Sequence, residues 1–173
     1  MDNQHPQPTT LRVRYLEQTQ PAPPPALYWG SERVTLEKPS LESFLALYGR
    51  VGDVPRWEQR AKMPTAELEA LLRGNALHIY VLREVSGDAI GFCEFDRSDF
   101  PQIELKNFGL MPHAQGRGLG PWLLAIALQG EWRTKPGRIW LHTDEWDHPA
   151  ALPVYHRAGF RVFDERDEPA GSL

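Results

Sequence analysis

The sequence predicts an α+β domain in which about four helices flank a mixed, mostly antiparallel central sheet. Two helical segments come early in the chain, three β-rich segments follow them, and strands and helices then alternate to the end. Strands joined by short turns pair in antiparallel fashion, whereas strands separated by a helix can pair in parallel. The expected order is therefore two helices, two or three strands, and then helix, strand, helix and strand. A chain of 173 residues has the length of one domain of this kind.

The first 31 residues are expected to form an arm and a linker outside this domain. LRVRYLEQT (Leu11–Thr19) alternates between apolar and polar residues and is rich in β-formers, which predicts a first strand. PAPPP (Pro21–Pro25) then imposes an extended link that cannot be helical. We place the domain at residues 32–165 and a short C-terminal tail at residues 166–173.

One short strand and two helices should follow the linker. ERVTLEKP predicts the strand, and SLESFLALYGRV predicts a helix with Ser40 as its N-cap. PTAELEALLRGN predicts the second helix, because its leucines fall on one face. Thr65 is the expected cap of this helix, and Gly74 is expected to end it.

The second half of the chain carries the central strands. The three predicted strands that open it are LHIYVLRE, AIGFCEFD and IELKNFGLM. The turn SGD between the first two predicts a hairpin. PWLLAIALQGEW is apolar on most sides and predicts a buried helix, and RIWLHT predicts a strand. PAALPVYHRAGF predicts a helix from Pro149 to Gly159, and FRVFDE predicts the last strand.

Composition excludes several classes of protein. A net charge of −4 argues against a general nucleic-acid binder, which normally has a basic surplus. The single cysteine, Cys93, excludes an internal disulfide and favours a reducing, cytoplasmic location. Cys93 lies in an apolar run without a neighbouring base, so we interpret it as a buried hydrophobic residue rather than a nucleophile. No apolar run approaches the roughly 18 residues that a membrane helix needs.

The segment QGRGLG (Gln115–Gly120) contains three glycines between a predicted strand and a predicted helix. Glycine weakens regular structure by about 0.5–1 kcal/mol relative to alanine, so this spacing needs an explanation. Bare backbone at a strand-to-helix turn can approach an anion, and the first amides of the helix are free to bind it. The segment therefore predicts a phosphate site, with a glycine-rich turn lacking any ligand as the alternative. A dinucleotide site is less favoured, because the G-x-G-x-x-G spacing is absent.

Two ordered motifs about 40 residues apart resemble the GNAT superfamily of acyl-CoA-dependent N-acyltransferases. Gln115, Gly118 and Gly120 match the Q/R-x-x-G-x-G/A loop of that family. ALPVYHRAGF is similar to its A-x-x-x-Y-x-k-x-G-F segment, with Tyr155 and Gly159 in register. The resemblance covers roughly residues 32–165 and implies a GNAT-like fold.

The resemblance also implies an activity, namely acetyl transfer from acetyl-CoA as cosubstrate to a small or peptidyl primary amine, by direct attack in a ternary complex and without a metal. Nucleic acid and membrane partners are not expected, and a homodimer is a mild preference. A catalytically silent acyl-CoA-binding module that senses or controls a partner is the alternative function. Acetylation of a protein terminus or a charged RNA also stays open.

A set of cofactor-binding residues follows from the resemblance. The pantetheine arm of CoA is expected beside the strand that contains NFGLMP, and the pyrophosphate is expected on the loop amides. Arg117 is expected to add positive charge, and the Leu110 amide to polarise the thioester carbonyl. His148 stands where many members carry asparagine, which leaves one cofactor hydrogen bond in doubt. The expected contacts are Phe108, Gly109, Leu110, Gln115, Gly116, Arg117, Gly118, Leu119, Gly120 and His148.

Glu104 is the expected base. It precedes Gln115 by 11 residues, which is where the histone-acetylating branch of the family places its glutamate. A carboxylate in a partly closed cleft can accept the proton of an amine through water. The alternative is that Glu104 merely pairs with Lys106. Glu94 and Asp144 are reserve candidates, and an acidic site mouth of this kind would attract a cationic amine.

Tyr155 is the expected acid, because a phenol with an ordinary pKa near 10 stays protonated and can protonate a departing thiolate. The alternative is an aromatic ring that only packs against the sheet. His142 and His156 are interpreted as structural. HTDEWDH (His142–His148) does not have the spacing of a metal site, so none is expected. Tyr28, Trp29 and Trp146 are candidates for the wall of an acceptor pocket.

Overall fold

The computed structural model describes residues 10–23, 30–52 and 57–170. Seven strands are formed: β1 (Thr10–Gln18), β2 (Arg33–Glu37), β3 (Leu77–Arg83), β4 (Ala89–Asp96), β5 (Gln102–Leu110), β6 (Arg138–Thr143) and β7 (Arg161–Pro169). The α-helices are α1 (Leu41–Gly52), α2 (Gln59–Lys62), α3 (Thr65–Arg73), α4 (Leu119–Trp132) and α5 (Ala151–Arg157). This mixed, mostly antiparallel architecture confirms the predicted α+β class.

All seven strands belong to one sheet in the order β2-β3-β4-β5-β6-β1-β7. Neighbouring strands are antiparallel except for β5 and β6, which are parallel. Strand β1 comes from the segment expected to be an arm, yet it lies inside the sheet and pairs with both β6 and β7. Strand β7 also extends to Pro169, beyond residue 165. The sheet therefore joins strands from both sides of the two boundaries drawn at 31/32 and 165/166.

Two apolar layers cover the sheet. Helix α4 is the main element of one layer, where Leu123, Leu124 and Ala127 are fully buried against strand residues. Helices α1 and α3 form the other layer, in which Phe44 and Leu68 pack onto β3 and β4. Strands β3 and β4 are covered on both faces, which explains why their sequences are almost continuously apolar.

Local boundaries differ slightly from those expected. Pro64 is the N-cap residue of α3, and Thr65 is its first helical residue. Helix α5 begins at Ala151 rather than at Pro149, while Gly159 follows it with a positive φ of 96°. The short helix α2 was not expected. None of the helices among the described residues is long and apolar enough to cross a membrane.

Candidate active site

The parallel strands β5 and β6 separate part of the way along their length. Residues Gln102–Glu104 pair with Arg138–Trp140, and no pairing continues beyond Glu104. A cavity of about 810 Å³ lies at the open end, lined by the later residues of β5 and by His142 of β6. The same cavity is lined by the glycine loop on one side and by α1, Trp57 and α2 on the other. The cavity where the two strands separate therefore brings the glycine loop and the helical layer to one site.

The glycine loop has the backbone that its sequence predicts. Gly116 and Gly118 have φ values of 72° and 76°, in the left-handed region that costs other residues about 1–2 kcal/mol. A Cβ atom at either position would meet no atom within 4 Å, so the loop surface is open. Gly118 is the N-cap residue of the 14-residue helix α4, and no side chain caps this end. The first amides of α4 are thus without a side-chain partner and attract an anion.

Arg117 is engaged elsewhere. Its guanidinium forms an ion pair with Glu32 and a longer one, 3.4 Å, with Glu84. Arg117 does not line the cavity, and the Leu119 side chain is buried in the core. Any anion site at the loop therefore depends on backbone amides more than on this side chain.

Gly109 is needed because the helical layer packs closely onto it. A Cβ atom at this position would lie 2.5 Å from Val51 Cγ1 and 3.2 Å from Trp57 Cη2. The irregularity of β5 lies nearer its middle, because Phe95 pairs with Leu105 and Glu94 with Asn107, which leaves Lys106 as the extra residue. A glycine inside a strand indicates either a bulge or a close approach of another element, and at Gly109 the structure shows close approach.

Tyr155 lines the cavity from helix α5. Its ring contacts Phe108 and Phe160, with centroid distances of 6.0 and 6.1 Å. Burial raises the pKa of the phenol, and the nearby charge of Asp147 raises it further. Tyr155 therefore keeps its proton, and its hydroxyl forms no hydrogen bond with the described residues.

Glu104 lies at the last paired position of β5, and its side chain is only 13% exposed. Its carboxylate is 3.1 Å from Lys106 Nζ and 3.7 Å from His142 Nε2. Lys106 and His142 line the cavity, whereas Glu104 does not. The expected pairing with Lys106 thus exists, and the carboxylate lies behind two cavity residues.

Glu94, one of the reserve candidates, is fully buried and belongs to a structural network. Arg60 Nε donates to its Oε1 at 2.8 Å, and Asn107 Nδ2 donates to its Oε2 at 2.8 Å. This network joins α2 to β4 and β5, so Glu94 is a buried ion-pair partner and not a free base. Asp144, the other reserve candidate, lines the cavity and accepts a hydrogen bond from the Trp146 amide at 2.7 Å.

His148 lines the cavity and also organises the start of α5. Its Nδ1 accepts a hydrogen bond of 3.1 Å from the Ala150 amide, and its carbonyl accepts one of 2.8 Å from Ala151. Trp146 lines the cavity, as expected for a pocket wall, whereas Tyr28 and Trp29 lie outside the described residues. Cys93 is fully buried, and burial raises the pKa of its thiol. Within the described ranges, no three His, Cys, Asp or Glu side chains are grouped to hold a metal ion.

The charges around the cavity are mixed rather than acidic. The basic lining residues are Arg50, Lys62, Lys106 and Arg157, and the acidic ones are Glu58, Asp144 and Asp147. The expected attraction of a cationic amine by an acidic mouth therefore has no basis in this lining. Sequence reasoning missed Asn107 and did not place Lys106 in the cavity, because no local motif indicates which residues of a bulged strand face a cavity.

Comparison with known proteins gives a family and a fold. The sequence profile described as "Acetyltransferase (GNAT) family" matches residues 39–160. A GCN5-related N-acetyltransferase from Sphaerobacter thermophilus is 20% identical with a TM-score of 0.63, over 92% of this chain and 50% of that one. A GNAT family acetyltransferase from Streptococcus pneumoniae is 21% identical with a TM-score of 0.55, over 75% of this chain and 87% of that one.

A third structure is a tandem GNAT protein from the clavulanic acid biosynthesis pathway, 15% identical with a TM-score of 0.64. The match covers 94% of this chain and 55% of that one. The present chain thus spans about half the length of the Sphaerobacter and tandem proteins. These identities support a shared fold and nothing finer. Among curated proteins, none matches this sequence significantly.

Proposed function

The chain belongs to the GNAT acetyltransferase family, and we propose that it transfers an acetyl group from acetyl-CoA to a primary amine by direct attack in a ternary complex. One observation carries the proposal: a single cavity is lined by the glycine loop, by Tyr155, and by α1 and α2 from the opposite side. The side of the cavity formed by the glycine loop can bind the phosphates of the acetyl donor. The side formed by α1 and α2 has space for the amine acceptor.

The loop residues fit a CoA pyrophosphate. Gly116 and Gly118 leave an open surface, and the uncapped start of α4 offers amides to an anion. Gln115 Nε2 donates to the Leu110 carbonyl at 3.2 Å, which ties this loop to the end of β5. We therefore propose loop amides 116–120 as the pyrophosphate site, and we place the pantetheine arm along Phe108, Gly109 and Leu110. His148 would contact the arm from the start of α5.

Acetyl-CoA supplies an activated acetyl group as a thioester, and the protein must remove a proton from the amine and protonate the thiolate. We propose Tyr155 as the acid, because it lines the cavity and its raised pKa preserves its proton. We propose Glu104 as the carboxylate that drives deprotonation of the amine. Since Glu104 does not itself line the cavity, an intervening group must carry the proton.

The second candidate function is an acyl-CoA-binding module without turnover. The ion pair between Glu104 and Lys106 favours it, because this carboxylate is already engaged by a neighbouring cation. His148, whose Nδ1 is used as a helix cap, favours it as well. This candidate predicts cofactor binding without CoA release by any amine.

Calorimetric titration with acetyl-CoA tests the site. We expect micromolar binding by the natural protein and none by Gly118→Glu, which places a bulky anion in the open loop. Gly87→Glu is the matched control, because Gly87 also has a positive φ, 95°, and open surroundings but lies in the β3–β4 turn. Equal binding by both variants, or no binding by the natural protein, would contradict the proposed site.

A screen for CoA release with primary amines then separates the enzyme from the silent module. In that screen, Tyr155→Phe should lower kcat by about 100-fold, the scale of general acid catalysis, with acetyl-CoA affinity almost unchanged. An unchanged kcat would remove Tyr155 as the acid.

A further inference from the structure

A proton that passes from an acceptor amine in the cavity toward Glu104 must first reach a group that lies beside this carboxylate. Among the residues that the structure describes, only Lys106 and His142 are within ion-pair distance of the Glu104 carboxylate, and both line the cavity. The carboxylate lies behind them and is 13% exposed. A lysine ammonium has three donors and no acceptor, so Lys106 cannot receive a proton while it is charged. His142 is the remaining group.

The two ring nitrogens of His142 have different surroundings. Nε2 is 3.7 Å from Glu104 Oε1. Nδ1 forms no hydrogen bond with the described residues, and His142 is one of the residues that line the cavity. A histidine that lines a cavity and lies beside a carboxylate has the surroundings of a general base with a positioning group.

We propose that His142 is the group that takes the proton of the acceptor amine, through Nδ1, and that Glu104 is a positioning residue that stabilises the imidazolium. This inference rests on the proposed function and deepens it, because it names the group that carries the proton to the region of Glu104. It also changes the interpretation of His142, which the sequence indicated as structural.

The groups that face His142 from each neighbouring element are few. Strand β5 presents Glu104, whose Oε1 is 3.7 Å from His142 Nε2 and whose Oε2 is 3.1 Å from Lys106 Nζ. Strand β1 presents Tyr15, whose ring centroid is 6.2 Å away. The loop after β6 presents Asp144 and Asp147, which line the same cavity. Burial raises the pKa of Asp147, and the charge of His142 opposes that effect. Of the acidic groups, Glu104 alone has an ion-pair distance to His142 within the described part of the chain.

The proposed step balances. The ammonium form of the acceptor gives one proton to Nδ1, and the amine nitrogen then forms a bond to the acetyl carbon. The bond between that carbon and sulfur breaks, and the thiolate receives the Tyr155 proton. The acetylated nitrogen, which still carries two protons, returns one to the Tyr155 phenolate through solvent, and solvent removes the proton from His142, so that the net products are an amide, the thiol and one proton.

The first arm of the test is kinetic. n-Butylamine serves as a small primary-amine probe, and release of the CoA thiol is followed from pH 6 to 9, a range of about 3 units around the ordinary histidine pKa. We expect His142→Gln to lower kcat/KM by about 100-fold near neutral pH and to remove the acidic limb of the profile, while calorimetric affinity for acetyl-CoA stays within about twofold. His156→Gln is the matched control, because His156 is exposed and does not line the cavity.

The second arm needs no acceptor. The C2 proton of His142 is assigned in the NMR spectrum by its absence from His142→Gln, and its pKa is measured in the natural protein and in Glu104→Gln. Glu17→Gln, which removes a carboxylate paired with Arg138, should leave that pKa unchanged.

The outcomes separate the two proposals. If His142→Gln binds acetyl-CoA and acetylates the probe with unaltered kcat/KM and pH profile, the role of His142 is overturned, while the proposed acetyltransferase activity is supported. Absence of acetyl-CoA binding overturns both. If acetyl-CoA binds but the probe is not acetylated, the NMR arm decides: an unchanged pKa in Glu104→Gln overturns the dyad, and a lowered one supports it.

Discussion

The antiparallel pairs β3–β4 and β1–β7 belong to the same sheet but are stabilised differently. Strands β3 and β4 are buried along almost their whole length, since α4 covers one face and α1 and α3 cover the other. Strand β7 is mostly exposed, and Val162 and Phe163 are among its solvent-facing residues. Apolar burial of both strands accompanies the first pair, whereas in the second pair only β1 has buried apolar side chains and exposed ion pairs link the two strands.

The β1–β7 pair carries its charges in register. Arg12 lies 2.6 Å from Asp167, and Arg14 lies 3.0 Å from Glu165. Exposed pairs of this kind contribute little, so the stability of this end must come from the apolar side chains of β1. The cavity lies between the two kinds of pair, with the helix-covered strand β5 on one side and β6, the neighbour of β1, on the other.

Deletion of β1, by starting the chain at residue 19, is expected to have the largest effect. It removes the buried side chains of Leu11, Val13 and Leu16 and leaves β7 without the one strand that it pairs with in the described part of the chain. Three such side chains contribute about 1.5–3 kcal/mol each, which is comparable to the whole stability of a domain. Far-ultraviolet circular dichroism should show no cooperative thermal transition. A normal transition would mean that β1 is dispensable.

The next largest effect is expected at the centre of the sheet. Glu94→Ala leaves the guanidinium of Arg60 buried without its partner, at a cost of about 3–5 kcal/mol. Urea denaturation measures this loss in the free energy of unfolding. The double variant Arg60→Met with Glu94→Leu should recover most of the loss, because apolar groups replace both charges. Additive losses in the double variant would show that packing, rather than charge, matters here.

A medium effect is expected where β4 meets β5. In Gly91→Ala, the new methyl group would lie 2.4 Å from Leu110 Cδ2 and 2.8 Å from the Gly109 carbonyl oxygen. Overpacking of this kind costs about 1–3 kcal/mol. Acetyl-CoA affinity should fall as well, because Leu110 is a proposed cofactor contact. Urea denaturation measures the loss of stability, and calorimetry on the same sample measures the loss of acetyl-CoA affinity. An unchanged acetyl-CoA affinity in Gly91→Ala would argue against a cofactor contact at Leu110.

The smallest effect is expected at the exposed end of the sheet. Arg14→Ala removes the ion pair with Glu165, and the free energy of unfolding should change by less than about 1 kcal/mol. The change should shrink further at high salt, because exposed charges are screened. A loss as large as that of Glu94→Ala would show that the charges, and not the apolar side chains of β1, hold this pair together.

The local elements and much of the candidate site were predictable. Gly116 and Gly118 adopt the positive φ values that the glycine spacing indicates, and Tyr155 and Gln115 line one cavity. The glycine conformations depend on residues close together in the chain, so spacing and turn chemistry are sufficient to find them, whereas Tyr155 and Gln115 were linked by the family resemblance. The partners of Glu104 and Glu94 were not all predictable. His142 and Arg60 lie more than 30 residues from these carboxylates, and only strand register and helix placement bring them together.

By itself the sequence determined the α+β class, the strand-to-helix glycine loop and the apolar character of α4, because alternation, glycine spacing and helical periodicity act over a few residues. The tertiary structure alone decided that β1 lies between β6 and β7, that Glu94 is a buried ion-pair partner, and that His142 lies beside Glu104 and lines the cavity. These features depend on residues far apart in the chain. Strand neighbours are determined by how much apolar surface the whole domain buries and how many backbone groups it pairs, and a short segment contains no information about either.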